Sequence, residues 1–346
     1  MSANQSPIVP TIAVQPIIVV GGANLDILGQ AHSRLAAGDS TPGHIQYTRG
    51  GVGRNVAENL ARLGLPTRLF TRVGLDDGGQ RLCDETRASG VDTAGVGRSA
   101  DLPTAQYLSL VQPDGTVAMA LNDMRVLDQL TPTVLQAAGL PIAQARLLVL
   151  DCNLRADTLA WLADQASGLA GLPGLGSLPV VVDGVSAVKC LKAAPLLSRI
   201  SVLKINKLEA CALTGRPVDT VADAHAATRD LWRRGVGTTV LSLGGDGVSW
   251  CDAQGEVGHA PAHVVDVVNT NGAGDALLAG VIYGLVVGMP WPNSIQFGLG
   301  CAAITLQSSQ TNADELTPHN VNLAVVANQQ QAAQLGAGLP KRESTP

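Results

Sequence analysis

Aromatic residues make up only 3% of this 346-residue chain, too few for the stacking platforms that grip single-stranded nucleic acid. Charge is scarce as well: 15% of residues are Asp, Glu, Lys or Arg and the net charge is −5, which argues against a polyanionic backbone as the main partner. The six cysteines (Cys83, Cys152, Cys190, Cys211, Cys251 and Cys301) are scattered, with no C-x-x-C pair. They read as buried, reduced thiols and not as a zinc or disulfide framework. No stretch approaches the roughly 20 uninterrupted apolar residues of a membrane span, and no basic region precedes an apolar one at the N-terminus. Those absences lead to the expectation of a soluble, cytoplasmic protein. The G-x-x-x-x-G-K-S/T pattern of Walker-type ATPases is missing too, and Gly21-Gly22-Ala23 is too short for a dinucleotide fingerprint. What the chain has is apolar substance. With 46% hydrophobic residues it can build one large α/β domain, or a core with an appendage.

Short apolar runs at 16–22, 67–73, 146–150, 179–182, 200–205 and 238–243 read as buried strands. Helical patterns at 54–63, 79–89, 156–166, 207–213 and 222–234 lie between them. Alternation of this kind implies a mainly parallel sheet with helices on both faces, and ligands beyond the carboxyl ends of the strands. Residues 31–48 and 99–122 break the rhythm. The second stretch alternates from Tyr107 to Val111, turns at Asp114-Gly115 and returns through Met119, a hairpin signature. It is expected to form a small β lid over the strand ends, the alternative being extra strands on the main sheet. The division expected is a core of 16–30, 49–98 and 123–326, a lid of 31–48 and 99–122, and flexible tails at 1–15 and 327–346. The Gly-, Leu- and Pro-rich segment 168–179 reads as a helix-to-strand connection.

The most chemically specific segment is Asn269-Thr270-Asn271-Gly272-Ala273-Gly274-Asp275, followed at once by the apolar run 276–285. Small residues let the backbone approach a bulky anion, and a helix starting there aims its free N–H groups at it. An acid beside such a site is a candidate base for an attacking hydroxyl, which points to phosphoryl transfer. At a helix start, Asp275 is expected to keep a low pKa and to be ionised. Gly272, Ala273 and Gly274 would offer N–H groups to a phosphoryl group as charge spreads over its oxygens. Asn206 and Glu209, three apart at a helix start, share a face. Asp26, with Asn24 just before it, can accept hydrogen bonds from two adjacent ribose hydroxyls. Gly50 and Gly51 allow a sugar to approach, Asn55 can hold a further hydroxyl, and Thr104 in the lid is a candidate contact for a base. Arg54 either contacts substrate or caps this site.

Three segments together resemble the ribokinase-like (PfkB) family of sugar and nucleoside kinases: Gly50 through Gly64 (GGVGRNVAENLARLG), Asn206-Lys207-Leu208-Glu209, and the Gly272-Ala273-Gly274-Asp275 turn, over about residues 16–325. The resemblance implies a three-layer sandwich with a mainly parallel central sheet and a small β lid. It implies phosphorylation of an alcohol by ATP, with Asp275 as general base. Asn206 and Glu209 would order Mg²⁺ through water, consistent with the few protein ligands Mg²⁺ takes. Ser242, Gly244 and Gly247, in a glycine-rich turn after a strand, would lie along ATP together with Gly272 and Gly274. K⁺ activates many members, although Asn269 stands where ribokinases place Asp. Asn271 stands where many members have Thr.

Within the family, Gly51-Val52-Gly53-Arg54-Asn55, Gly22-Ala23-Asn24-Leu25-Asp26, Pro42-Gly43-His44-Ile45 and Leu121-Asn122-Asp123-Met124 are most similar to its pseudouridine-kinase branch. That implies phosphorylation of the 5′-hydroxyl of pseudouridine. Another nucleoside, ribose or fructose remains the alternative acceptor, and a silent scaffold or regulator the remote one. No nucleic-acid or membrane partner is expected. Exposed lid strands can pair between subunits, which would give a homodimer.

Overall fold

Within each apolar run the side chains alternate between two cores, and that alternation builds the sheet. The computed structural model describes residues 15–169, 171 and 177–337. Ile17, Val19, Leu147, Val149, Val181 and Val202 face one hydrophobic cluster, while Ile18, Val20, Leu148, Leu150, Val182 and Leu203 face the other. A period of two with both faces apolar is what a parallel sheet buried on both sides requires.

The large sheet has nine strands in the order β13-β12-β11-β10-β9-β8-β1-β4-β5. In chain order these are β1 (Ile17–Val20), β4 (Thr67–Gly74), β5 (Asp92–Ser99), β8 (Leu147–Asp151), β9 (Val180–Asp183), β10 (Val202–Asn206), β11 (Thr238–Ser242), β12 (Val248–Cys251) and β13 (Val257–Ala260). All pairings are parallel except β11–β12 and β12–β13. Helices α1 (Val52–Arg62), α7 (Ala273–Val287), α8 (Trp291–Leu306) and α9 (Pro318–Ala337) cover one face. The other carries α3 (Pro132–Ala137), α4 (Ala156–Ala166), α5 (Lys207–Thr214) and α6 (Val221–Arg233). Helix α2 (Asp77–Ala88) connects β4 to β5. The chain runs outward from β1 through β4 to β5, then returns to β8 on the other side of β1. This reversal is a topological switch point, and it opens a crevice past the carboxyl ends of β1 and β8.

A separate four-stranded sheet has the order β3-β2-β6-β7, from β2 (Asn24–Ala31), β3 (Gly43–Gly50), β6 (Gln106–Val111) and β7 (Val117–Asp123). The expected hairpin is therefore a small sheet of its own and not an extension of the large one. The ladder places Asn24–Ala31 in this small sheet, whereas the sequence reading kept residues through 30 with the core. The apolar stretch of β1 breaks at Gly21-Gly22, and β2 is a new strand after the break. Strand β5 escaped the sequence reading because Asp92–Ser99 carries two glycines and no apolar run at this sheet edge.

The C-terminal expectation also needs correction. Residues 327–337 belong to helix α9 and are not a frayed tail. Their Ala and Gln content favours a helix, and Val321 and Val325 upstream pack the same helix against the core. Residues 1–14, 338–346 and most of 170–176 lie outside the described residues, so the expectations for them stop there.

Helix α1 carries a buried ionic cluster. Arg54 and Glu58 are fully buried and paired, and Glu58 Oε1 also accepts from Arg62 at 2.8 Å and from Arg49 at 3.4 Å. Arg54 Nε donates to the carbonyl of Gly50 at 3.0 Å, and its Nη2 donates to that of Arg49 at 3.1 Å and to Asn312 Oδ1 at 2.7 Å. Removing one partner of a buried pair strands the other charge. Glu58→Gln, which keeps the shape, is expected to lower unfolding stability by about 3 kcal/mol. Urea denaturation checks it, as a lower midpoint with an unchanged slope.

Candidate active site

The polar residues ending β8, β9 and β10 point to the same side as α1 and α7, because they continue the period-two set that faces those helices. Asp151, Asp183 and Lys204 are all buried. Asp151 Oδ2 accepts from the backbone N–H of Gly22 at 2.7 Å and of Gly53 at 2.8 Å. Lys204 Nζ lies 2.9 Å from Asp183 Oδ2. Directly above it is Gly274, where a Cβ would come within 2.9 Å of that ammonium. The 272–274 turn thus sits on a buried cation at the start of α7, combining a positive charge with the unpaired N–H groups of a helix N-terminus.

Gly272 caps α7 in the left-handed region with φ 79°, and a Cβ there would lie 2.1 Å from the Thr311 carbonyl. Only glycine fits this turn. Asp275 lies in the first turn of α7 and is 8% exposed. Its Oδ2 accepts a 2.7 Å hydrogen bond from Asn55 Nδ2, across 220 residues of sequence. The low pKa expected from the helix start is not what the structure supports. Burial pushes Asp275 up to about 7, and the nearby Asp183 carboxylate adds to the rise, against the opposing pull of Lys204, Asn55 and Arg54. Desolvation outweighs the helix dipole because the carboxylate is closed in under the turn.

Also at the N-terminal end of α1, Asn24 Nδ2 donates to Asp26 Oδ1 at 2.6 Å. The Asp26 carboxylate occupies the space where a Cβ at Gly50 would stand. Burial raises its pKa, opposed by Asn24 and Arg54. Gly51 has φ 94°, and a Cβ on it would lie 2.5 Å from Ala23 Cα and from the Gly22 carbonyl oxygen. Asn24, Asp26, Gly50, Gly51, Asn55 and Asp275 are therefore brought together around the N-terminal end of α1. Arg54 joins them from below: it is wholly buried and holds backbone and side chains.

Thr104 does not join this group, which corrects its assignment to a base contact. Its hydroxyl donates to Asp76 Oδ1 at 2.6 Å and accepts from the N–H of Gly74 at 3.0 Å. It is 1% exposed and stitches the N-cap of α2 to β4.

Asn206 and Glu209 form a reciprocal capping box at the start of α5. The Glu209 oxygens accept from the backbone N–H and the Nδ2 of Asn206 at 2.9 and 2.7 Å. Burial raises the Glu209 pKa, with Lys204 opposing. Among the described residues no three His, Cys, Asp or Glu side chains converge to hold a metal. A cavity of about 530 Å³ opens beside the turn, lined by Ser242, Gly244, Gly247, Thr270 and Gly274 and walled by Leu277 and Leu299. The glycine-rich turn after β11 and the turn before α7 thus share one space. Asn269 uses its Oδ1 on the N–H of Asn271 at 3.0 Å. Among the described residues no helix is long and apolar enough to cross a membrane.

Asp151, Asp183 and Lys204 were not singled out from the sequence. The available signal was a charged residue closing or interrupting an apolar strand, as in LLVLD, VVVD and VLKIN. Asp275, by contrast, is tested directly by linkage. Its folded pKa stands above that of an unfolded carboxyl, so stability is full below about pH 4 and is lost as pH rises toward about 7. Asp275→Asn removes this cost, and its melting temperature is expected to exceed the wild type's by a few degrees at pH 8, with the difference shrinking on acidification and gone only by about pH 4, as thermal scans will show.

The chain matches the family model described as pfkB family carbohydrate kinase over residues 15–318. It is 39% identical over 308 residues to the pseudouridine kinase of Escherichia coli K12, covering 88% of this chain and 95% of that one. A solved carbohydrate kinase from Agrobacterium tumefaciens superposes with TM-score 0.78 at 29% identity, covering 90% of this chain and 97% of that one. The Arabidopsis thaliana ribokinase solved with ribose and ATP superposes with TM-score 0.77 at 23% identity, covering 90% and 99%. The fold is therefore ribokinase-like, and the chain belongs to the pfkB family of carbohydrate kinases, a phosphotransferase.

Proposed function

We propose that this enzyme transfers the γ-phosphoryl group of ATP to the 5′-hydroxyl of pseudouridine, with Asp275 as general base. One observation carries the reading. The Asp275 carboxylate lies under the glycine turn of α7 and is tied by Asn55 to the end of α1 where Asp26 stands. The phosphoryl donor and the alcohol that accepts the group would meet across that bond. The identity to a pseudouridine kinase supports the choice of acceptor, and the ATP held by a ribokinase of the same fold supports the choice of donor.

Each residue has a separate task. Asp26, steadied by Asn24, would accept hydrogen bonds from the vicinal ribose hydroxyls, and Asn55 would border the 5′ end. Asp275 in its ionised form would take the hydroxyl proton as the new P–O bond forms. The N–H groups of Gly272, Ala273 and Gly274 would meet the charge spreading over the phosphoryl oxygens, and Lys204 beneath them adds a fixed positive field. The cavity beside the turn offers Ser242, Gly244 and Gly247 to the nucleotide and apolar walls to its base.

Magnesium fits this site in one manner. Glu209 and Asn206 spend their facing atoms on each other, so they would hold Mg²⁺ through its waters, the phosphates supplying the direct ligands. When bound, the ion would neutralise phosphate charge during transfer. K⁺ would meet a neutral amide at Asn269, so tight binding there is not part of this proposal. The lid presents Ile45, Tyr47, Leu108, Met119 and Leu121 as exposed residues in register on one face of its sheet. Such a face fits a second copy of this chain, giving a homodimer.

A coupled ATP-consumption assay with pseudouridine, uridine, ribose and fructose side by side tests the acceptor; a clear preference for a sugar over pseudouridine would refute it. Asp275→Asn is expected to lower kcat by about 10²–10⁴ with folding intact. For the wild type, kcat/KM should climb with pH and level off above a midpoint near the value of about 7 to which burial pushes Asp275. A flat profile between pH 5.5 and 8.5 would remove Asp275 from the role of base.

A further inference from the structure

A polar cavity of about 340 Å³ lies apart from the alcohol and nucleotide sites, where three elements meet. Thr48 and Arg49 bring the root of lid strand β3, Arg81 and Glu85 bring α2, and Ser309 and Thr311 bring the loop after α8. Thr48 pairs with Asp26 across β2 and β3. Successive side chains of a strand point to opposite faces, so Arg49 turns away from the face that carries Asp26. The cavity is therefore not an extension of the sugar site.

Its charges favour an anion. Glu85 is the one carboxylate in the lining, and two guanidiniums already hold it, Arg81 Nε at 2.7 Å and Arg49 Nε at 3.6 Å. Arg49 spends its other nitrogens on the Glu85 carbonyl at 3.2 Å and on Glu58 at 3.4 Å. Both terminal nitrogens of Arg81 lack a protein partner among the described residues. A guanidinium with free parallel donors suits a phosphate or carboxylate. The volume falls in the range of small-molecule sites, roughly 300–1,000 Å³, and exceeds what a bare inorganic anion fills. No Leu, Ile or Val lines it; beyond the charged residues the lining is mostly hydroxyls and the amides of Gln310 and Asn312. Such a wall matches the hydroxyls of a sugar.

The loop connects this cavity to the reacting groups. Its Thr311 carbonyl packs against Gly272 in the turn before α7, and its Ser309 carbonyl accepts from Asn269 Nδ2 at 3.4 Å. Asn312 Nδ2 donates to the Asn55 carbonyl at 3.0 Å and to Asn59 Oδ1 at 2.8 Å. An occupant bonded to the arginines and to the loop hydroxyls at once would tie 309–312 to β3 and α2. That is the arrangement in which the loop supports the glycine turn and Asn55.

We infer that this cavity is an effector site for a small sugar phosphate. Arg81 and Arg49 take the phosphate, the 309–312 loop takes the sugar hydroxyls, and occupation tightens binding of the alcohol substrate. Because such coupling is reciprocal, bound alcohol also tightens the effector.

Calorimetric titration of the full-length enzyme with glucose 6-phosphate, at constant ionic strength, tests this beside Arg81→Gln and Glu85→Gln. The Arg81 side chain is 58% exposed and neither residue touches the reacting groups, so both variants are expected to fold and to keep basal turnover. The wild type should bind one equivalent. Arg81→Gln should weaken binding about tenfold or more through the lost charged hydrogen bond. Glu85→Gln, which frees both guanidiniums, should tighten it about twofold to fivefold. Saturating glucose 6-phosphate should lower the KM for pseudouridine about fivefold with the KM for ATP unchanged, and this fall should be absent in Arg81→Gln. Equal affinity in all three proteins, or displacement of glucose 6-phosphate by ATP or by pseudouridine, overturns the site. Inorganic phosphate binding as tightly overturns the sugar-phosphate class, and binding with no change in KM overturns the coupling. The titrations need no alcohol, so they stand apart from the pseudouridine assignment; should that assignment fail, the KM is measured for the acceptor the enzyme prefers.

Discussion

Four of the charged side chains at this site face a glycine that leaves room for them, and the rest of the architecture follows from that match. Asp151 fills the space of a Cβ at Gly21 and Gly53, Asp26 that at Gly50, Glu209 that at Gly184, and Lys204 that at Gly274. Burying an isolated carboxylate costs several kcal/mol unless donors surround it closely. Close approach of backbone N–H groups supplies those donors only where no side chain intervenes. Gly22 and Gly53 both donate to Asp151 and so bind the turn after β1 to the first turn of α1. Compensation is incomplete at Asp275, which is closed in by burial and has one neutral amide donor in Asn55. That incomplete compensation is what leaves it able to change protonation near neutrality.

The same match explains which parts were legible from the chain alone. The turn at Gly272-Ala273-Gly274-Asp275 was readable because its glycines and its acid are adjacent in sequence, and the structure keeps that local logic in the cap of α7. The alternation of strand and helix was readable because the central strands β1, β8 and β9 are short apolar runs separated by helical patterns. Asp151, Asp183 and Lys204 were not, because a charged residue at a strand end looks the same whether it meets solvent or the underside of a helix. Only the packing of α1 and α7 over those strand ends decides the matter. Thr104 failed for a related reason. Its place beside the lid in sequence says nothing of Asp76, whose carboxylate takes its hydroxyl into the cap of α2. The protonation of Asp275 was misjudged because a helix start implies a dipole, whereas the depth of burial is a property of the assembled fold.

Arg54 ties these observations into one mechanical unit. It is too deeply buried to reach a substrate, so the alternative of a direct contact drops out. Its donors hold the carbonyls of Arg49 and Gly50, the last residues of lid strand β3, and the side chain of Asn312 beyond α8. Asn312 in turn donates to the backbone carbonyl of Asn55 at 3.0 Å, and Asn55 donates to Asp275. The end of the lid strand, the loop that closes over Gly272 and the carboxylate under the turn therefore share a single cation as their anchor. A displacement of the lid root must either carry Arg54 with it or break hydrogen bonds to a buried guanidinium, and the second is the costlier course. Glu58 holds that guanidinium from below through the buried ion pair of α1. The root of the small sheet and the hydrogen bonding of Asp275 are thus joined through α1, without any contact between that sheet and the carboxylate being required.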